Sequence, residues 1–278
     1  MQLSGLYIYP VKSLGGLSVS ESRVELRGLQ YDRRWMLTDA EGIFLSQREI
    51  PRMALLRTSI EPPFLYVFHC ETPHDRVAIP LEPDPLSLRN ASLGVWSDRF
   101  RGFFAEGLAS EWLSDQLGHA VRLAFMPETS KRHADTRYAP KGQYVSFADG
   151  FPFLMIGQAS LDELNGRLKV PLGMERFRPN FVFTGSPPYH EDTWSDFMIG
   201  SIPFQCVKPC ARCSITTTDQ TTGERGKEPL QTLSTYRMQA KRILFGQNVI
   251  WTGTKPGDTI RTGMEIKVLN QRKESNKD

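Results

Sequence analysis

Several features are missing or scarce, and each absence removes a class of function. No run of about 18 or more apolar residues occurs, so no stretch reads as a membrane-spanning helix. Met1 leads almost directly into Leu3-Ser4-Gly5-Leu6-Tyr7-Ile8-Tyr9, without the charged and apolar segments of a secretion signal, and the expectation is a cytoplasmic protein with no membrane anchor. Excess charge is lacking: 34 Lys+Arg against 31 Asp+Glu leave +3, too little for a nucleic-acid binder. Cysteine is scarce too, and the four thiols are far from a disulfide scaffold in a chain of 278 residues. What remains is an ordinary globular composition, 40% hydrophobic and 23% charged, in which 22 Gly and 19 Pro point to many turns and few long helices.

The first half reads as short β-branched or aromatic runs: Leu6–Tyr9, Val19–Leu26, Arg34–Leu37, Ile43–Leu45, Leu65–Phe68 and Val77–Ile79. Thr38-Asp39-Ala40-Glu41-Gly42 supplies hairpin residues between two of them. A helix is predicted over Glu106–Leu117, with Gly118 as its left-handed stop, followed by a strand at Val121–Phe125. The polar stretch Pro127–Gly142 marks an interdomain or active-site loop. Beyond it, Ser160-Leu161-Asp162-Glu163 is a capping box. Strands are predicted at Asn180–Thr184, Ile202–Val207, Ser214–Thr218, Val249–Thr252 and Met264–Leu269. The reading is a β-rich α+β protein with a few short helices, divided into residues 1–125 and 126–270, with a frayed polar tail at 271–278.

Three of the four cysteines crowd together as Cys206-x3-Cys210-x2-Cys213, and three explanations stand beside one another. Cys206 continues the alternation of Ile202 and Phe204, as a buried strand thiol would. The spacing also matches three thiolates on an iron–sulfur cluster, although no β/α array follows it. Third, Cys213 can be a single thiolate ligand to a soft or high-valent metal, with Lys208 and Arg212 as cations that favour its ionised form. Such a metal needs a cofactor with an anionic handle. Lys12-Ser13, Arg33 and Arg178 are candidates to hold it, since guanidinium forks bind phosphate through two charge-assisted bonds. Each has an ordinary alternative: a solvated lysine, or ion pairs to Asp32 and Glu175.

Taken in order, Tyr9-Pro10-Val11-Lys12-Ser13, Asp32-Arg33-Arg34-Trp35, Phe177-Arg178-Pro179-Asn180, Glu191-Asp192-x-Trp194, Cys210-Ala211-Arg212-Cys213 with Glu228-Pro229-Leu230, and Phe245-Gly246-Gln247 resemble the motifs of MOSC-domain proteins. The likeness covers nearly the whole chain and is greatest to the mitochondrial amidoxime-reducing component and bacterial YcbX-like molybdoenzymes. It implies an N-terminal MOSC-type β-barrel-like domain followed by a MOSC β-barrel, with the molybdenum cofactor, Mo-molybdopterin, between them. By the same likeness Cys213 is the protein thiolate on molybdenum. Lys12, Ser13, Arg33, Arg178, Asn180 and Arg212 match positions that hold the pterin and its phosphate, and Asp149-Gly150 lies where a carboxylate sits near the metal. Gly150, Phe151 and Arg34 depart from the family pattern, and Cys206 and Cys210 receive only structural roles.

The implied reaction is two-electron reduction of small N-hydroxylated compounds such as amidoximes and hydroxylamines, with Asp149 either assisting proton delivery or simply capping the Asp149-Gly150 turn. No plant-type ferredoxin cysteine pattern follows Leu269, so electrons are expected from a separate flavoprotein, ferredoxin or cytochrome; Lys131, Arg132 and Lys141 offer a docking surface for it, with a solvated basic loop as their ordinary reading. The alternatives are a molybdenum-cofactor or sulfur carrier of the MOSC type, in which Cys213 relays sulfur, and the iron–sulfur protein.

Overall fold

A computed structural model describes residues 1–272. Its largest sheet has nine strands and curls into a half-barrel. Along it run Ile266–Val268, Asp196–Ile199, Ile202–Ala211, Arg242–Trp251, Phe153–Gly157, Phe181–Thr184, Gln2–Ile8 and Leu17–Ser18, with Met238–Gln239 paired to Arg242–Trp251. Phe153–Gly157 pairs in parallel with Phe181–Thr184, and the other ladders are antiparallel. Alternating residues turn inward, and Phe153, Phe181, Phe197, Phe204 and Trp194 form an aromatic core within it.

A second core lies under a four-stranded sheet of Trp35–Thr38, Arg122–Phe125, Asp98–Ala105 and Arg89–Val95 and a meander of Leu56–Glu61, Phe64–His69 and Thr72–Pro80. Helix Leu108–Leu117 buries Leu113 and Leu117 in it and ends at Gly118, φ 61°. The other α-helices are short, Gln158–Asn165 and Leu230–Ser234, as the β-rich reading anticipates. None among the described residues is long and apolar enough to cross a membrane.

Three local expectations are corrected. Ile43–Leu45 is no strand: Ile43 and Phe44 make isolated bridges to Gly94 and Thr38, because Asp39 Oδ1 accepts from the Glu41 and Ile43 amides and tightens the turn. Ser214–Thr217 is a 3-10 turn, not a strand. The hydroxyls of Thr216 and Thr217 donate to the Cys213 and Ser214 carbonyls at 3.0 and 2.8 Å, a local alternative to a ladder. Ser160 does not cap its helix, which starts at Gln158; its hydroxyl is spent on buried Glu191, which also accepts from the Gly157 amide. Of the 271–278 tail, Gln271 bridges to Trp194 and Arg272 donates to the Cys206 carbonyl; 273–278 lie outside the described residues.

The two cores are stitched at one seam. Strand Gln2–Ile8 belongs to the half-barrel, but the chain leaving it, Tyr9–Ser13, laces onto the other core through Lys12 N to Trp35 O (2.8 Å), Arg33 N to Tyr9 O (2.8 Å) and Phe147 N to Arg33 O (3.0 Å). Thr259–Arg261 pairs with Glu21–Glu25, and Val24 and Ile260 close the half-barrel core from that side. A cleft opens along the seam.

Candidate functional site

The cleft, about 800 Å³, is lined by Lys12, Ser13, Arg33, Asp149, Gly150, Arg178, Asn180, Arg212 and Cys213. Every residue that the family resemblance assigns to the cofactor or the metal therefore reaches one concavity. All flank strand ends: Lys12-Ser13 follow Gln2–Ile8, Arg33 precedes Trp35–Thr38, Asp149-Gly150 precede Phe153–Gly157, Arg178–Asn180 precede Phe181–Thr184, and Arg212-Cys213 follow Ile202–Ala211. Three of them hold left-handed backbone without being glycine: Ser13 (φ 68°), Arg33 (φ 52°) and Arg178 (φ 57°). Such conformations cost free energy and persist where the surroundings fix them, commonly at ligand sites.

The floor is saturated. Buried Asp32 accepts from the Tyr9 amide (2.8 Å) and pairs with Arg33 Nη1 (2.5 Å), which also reaches Asn180 Oδ1 (3.3 Å). Asn180 accepts from the Leu154 amide and donates to the Tyr7 carbonyl. Arg33 thus has the Asp32 partner the sequence suggested, whereas Arg178 bonds the Leu14 carbonyl (2.7 Å) and stacks on Tyr9 (4.3 Å), as Arg33 does from 4.6 Å. Lys12 is no solvated lysine: it is buried, donating to the Phe147 carbonyl (2.8 Å) and Asp149 Oδ1 (2.5 Å). Burial lowers its pKa to about 8 against the pull of Asp149. The Asp149 carboxyl, exposed at the rim of the cleft, is held well below the usual range by Lys12 and then Arg48.

The walls are not saturated. Among the described residues, Arg48 Nη2, Arg178 Nη2 and Arg212 Nε are buried without a hydrogen-bond partner. Each such donor costs on the order of 1–3 kcal/mol unless something accepts from it. Three of them around one cleft describe an anion's place, and burial lowers Arg178 itself to about 10. A phosphorylated, sulfur-rich cofactor fits this donor set, because its oxygens would satisfy donors the chain leaves open.

Cys213 is exposed at the cleft, and Arg48 Nη1 lies 3.4 Å from its Sγ. Arg48 was missed in the sequence, since a lone arginine in Ser46-Gln47-Arg48 carries no signature. The cation expected beside the thiol is corrected accordingly: Lys208 lies over the Tyr138 ring (4.3 Å), and Arg212 donates to Cys210 Sγ (3.1 Å). Cys206 sits in the half-barrel core, and burial raises its thiol far above the ordinary value. Among the described residues no three His, Cys, Asp or Glu side chains gather as a metal site, so the three thiols do not converge as an iron–sulfur cluster requires. Arg132 leaves the expected docking surface: it is buried, pairs with Asp98 (2.9 Å), and holds the Asp149 loop through the Ser146 (2.8 Å) and Asp149 (2.7 Å) carbonyls.

Residues 1–120 match the MOSC N-terminal beta barrel domain and residues 142–267 the MOSC domain. The chain is 33% identical to mitochondrial amidoxime-reducing component 1 of Mus musculus, over 96% of this chain and 82% of that protein. The chain belongs to the MOSC family. Component 2 of Homo sapiens is 33% identical over 84% of this chain and 71% of its own length. The molybdenum cofactor sulfurase of Oryza sativa subsp. japonica is 31% identical over 88% of this chain, which spans 32% of that longer protein. The cleft lies where these two MOSC modules meet, drawing Lys12, Arg33 and Arg48 from the first and Asp149, Arg178 and Cys213 from the second.

Proposed function

We propose that this MOSC protein is a molybdenum-cofactor-dependent reductase of small N-hydroxylated compounds, amidoximes and hydroxylamines, fed with electrons by a separate protein. One observation carries the reading: three buried, unpartnered guanidinium donors ring a cleft that also exposes the Cys213 thiol. Arg48, Arg178 and Arg212 with Lys12 and Ser13 hold the anionic cofactor, Arg33, Asn180 and Gly150 shape its bed, and Cys213 is the metal ligand. When bound, the cofactor supplies the two-electron reduction that breaks the N–O bond. Asp149, an anion throughout the neutral range, accepts hydrogen bonds from substrate rather than donating a proton. Lys12, lowered to about 8 and 2.5 Å from Asp149, is the member of the pair able to release a proton near neutrality. The electron donor, a flavoprotein, ferredoxin or cytochrome, docks near exposed Lys131 and Lys141.

The relatedness to the sulfurases favours one other reading, a carrier in which Cys213 passes on sulfur or cofactor. Benzamidoxime with a chemical one-electron reductant separates the two. Conversion to benzamidine, lost in Cys213→Ala, is the expected result; a cofactor-loaded protein that converts none is the carrier.

A further inference from the structure

A wider, open cleft of about 1220 Å³ adjoins the first, and Asp149 and Gly150 line both. On its side stands Trp96, at the tip of the hairpin that joins Arg89–Val95 to Asp98–Ala105. Two features of this tryptophan need a reason. It is 54% exposed, although an indole is among the costliest side chains to leave in water. Its φ is 56°, a left-handed backbone that hairpin tips normally give to Gly, Asn or Asp. Both fit a side chain kept in place for a ligand.

Its contacts limit what could bind there. The Arg48 guanidinium, which bonds Cys213, lies 4.5 Å from the indole, and Phe44 meets it edge-on at 5.0 Å. The indole Nε1 donates to Asp149 Oδ1 at 3.2 Å. Oδ1 already receives Lys12 at 2.5 Å, so Oδ2 is the carboxylate oxygen left for a ligand. Arg48 covers part of the indole, and the exposed remainder of the ring stands beside an acceptor oxygen, both on the rim between the outer cleft and Cys213.

We infer that Trp96 and Asp149 form the head-group site for planar, conjugated N-hydroxyamidines. The aryl or heteroaryl amidoxime stacks on the part of the indole that Arg48 leaves open and its NH2 donates to Asp149 Oδ2, which turns the N–OH toward the inner cleft. The inference rests on the reductase reading for what happens to the ligand, but not for its binding. The amidine product is a planar cation that keeps both contacts, so benzamidine binds the resting protein without turnover.

Calorimetric titration of the full-length protein with benzamidine tests this directly. Saturable binding is expected in the wild type and in Trp112→Phe, whose indole bonds Asp75 on another face. Trp96→Ala should weaken it about three- to tenfold, Trp96→Phe should retain most of it, and Asp149→Asn should weaken it by a similar factor. With benzamidoxime as substrate, Trp96→Ala should raise KM more than it lowers kcat, and an aliphatic hydroxylamine should show no such rise. Benzamidine binding that is absent in the wild type, or unchanged in Trp96→Ala, overturns the site. Intact, Trp96-dependent binding by a protein that never reduces benzamidoxime overturns the reductase instead.

Discussion

Arg33 on the floor of the cleft and Arg48, Arg178 and Arg212 on its walls are the same side chain in opposite situations. Arg33 is matched by Asp32, Asn180 and a carbonyl, and Asp32 in turn fixes the chain through the Tyr9 amide. Each wall arginine keeps a buried donor with nothing to meet it. The floor is built for folding and the walls for a ligand, and the difference is read from partners rather than from residue type or burial.

Substitutions on the two sides should accordingly behave in opposite ways. Asp32→Ala strands a buried guanidinium and a backbone amide, so chemical unfolding should show a loss of about 3–5 kcal/mol. Arg178→Met removes a charge the fold does not fully use; the cofactor-free protein should stay within about 1 kcal/mol of wild type, or gain, while retaining much less cofactor on purification. A matching loss of stability would erase the distinction between floor and wall.

Lys12 sharpens the contrast through pH. Below about pH 8 it is protonated folded and unfolded, and its burial weighs fully against the folded state. Between about 8 and the ordinary 10.5 the folded chain has lost the proton and the unfolded chain has not, so wild-type stability should rise relative to Lys12→Met across that window. Urea midpoints of the two cofactor-free proteins against pH provide the check, and anion affinity should fall over the same range. The smallest effect belongs to Gly150→Ser. A Cβ there meets nothing within 4 Å, so stability should change by less than about 0.5 kcal/mol, measurable as an unaltered melting midpoint.

The sequence made the strands Phe181–Thr184 and Ile202–Ala211 and the Leu108–Leu117 helix legible because their apolar spacing matches the element period, but it missed Phe153–Gly157 and Asp196–Ile199 of the same half-barrel. It hid the hairpin of Arg89–Val95 and Asp98–Ala105, whose alternation is broken by Gly94 and Gly102. Both are places of close approach: a Cβ would fall 2.9 Å from Ile43 and 2.4 Å from Leu93. That omission also concealed Trp96, since its role depends on where the hairpin tip lands. Lys12, Arg178 and Cys213 stood in recognisable local motifs, whereas Arg48 gains meaning only when folding brings it to Cys213 from 165 positions away. Thr216 and Thr217 misled because β-branched residues favour strands until their hydroxyls find a nearby carbonyl.

The central claim is that the wall arginines hold an anionic cofactor whose metal is bound by Cys213. Molybdenum content per chain, measured on wild type and Cys213→Ala purified from cells that make the cofactor, tests it most directly. The account predicts close to one molybdenum per wild-type chain and a large loss in the variant, with the fold intact because that thiol is exposed. Equal molybdenum in both proteins, or iron in place of molybdenum, would contradict it.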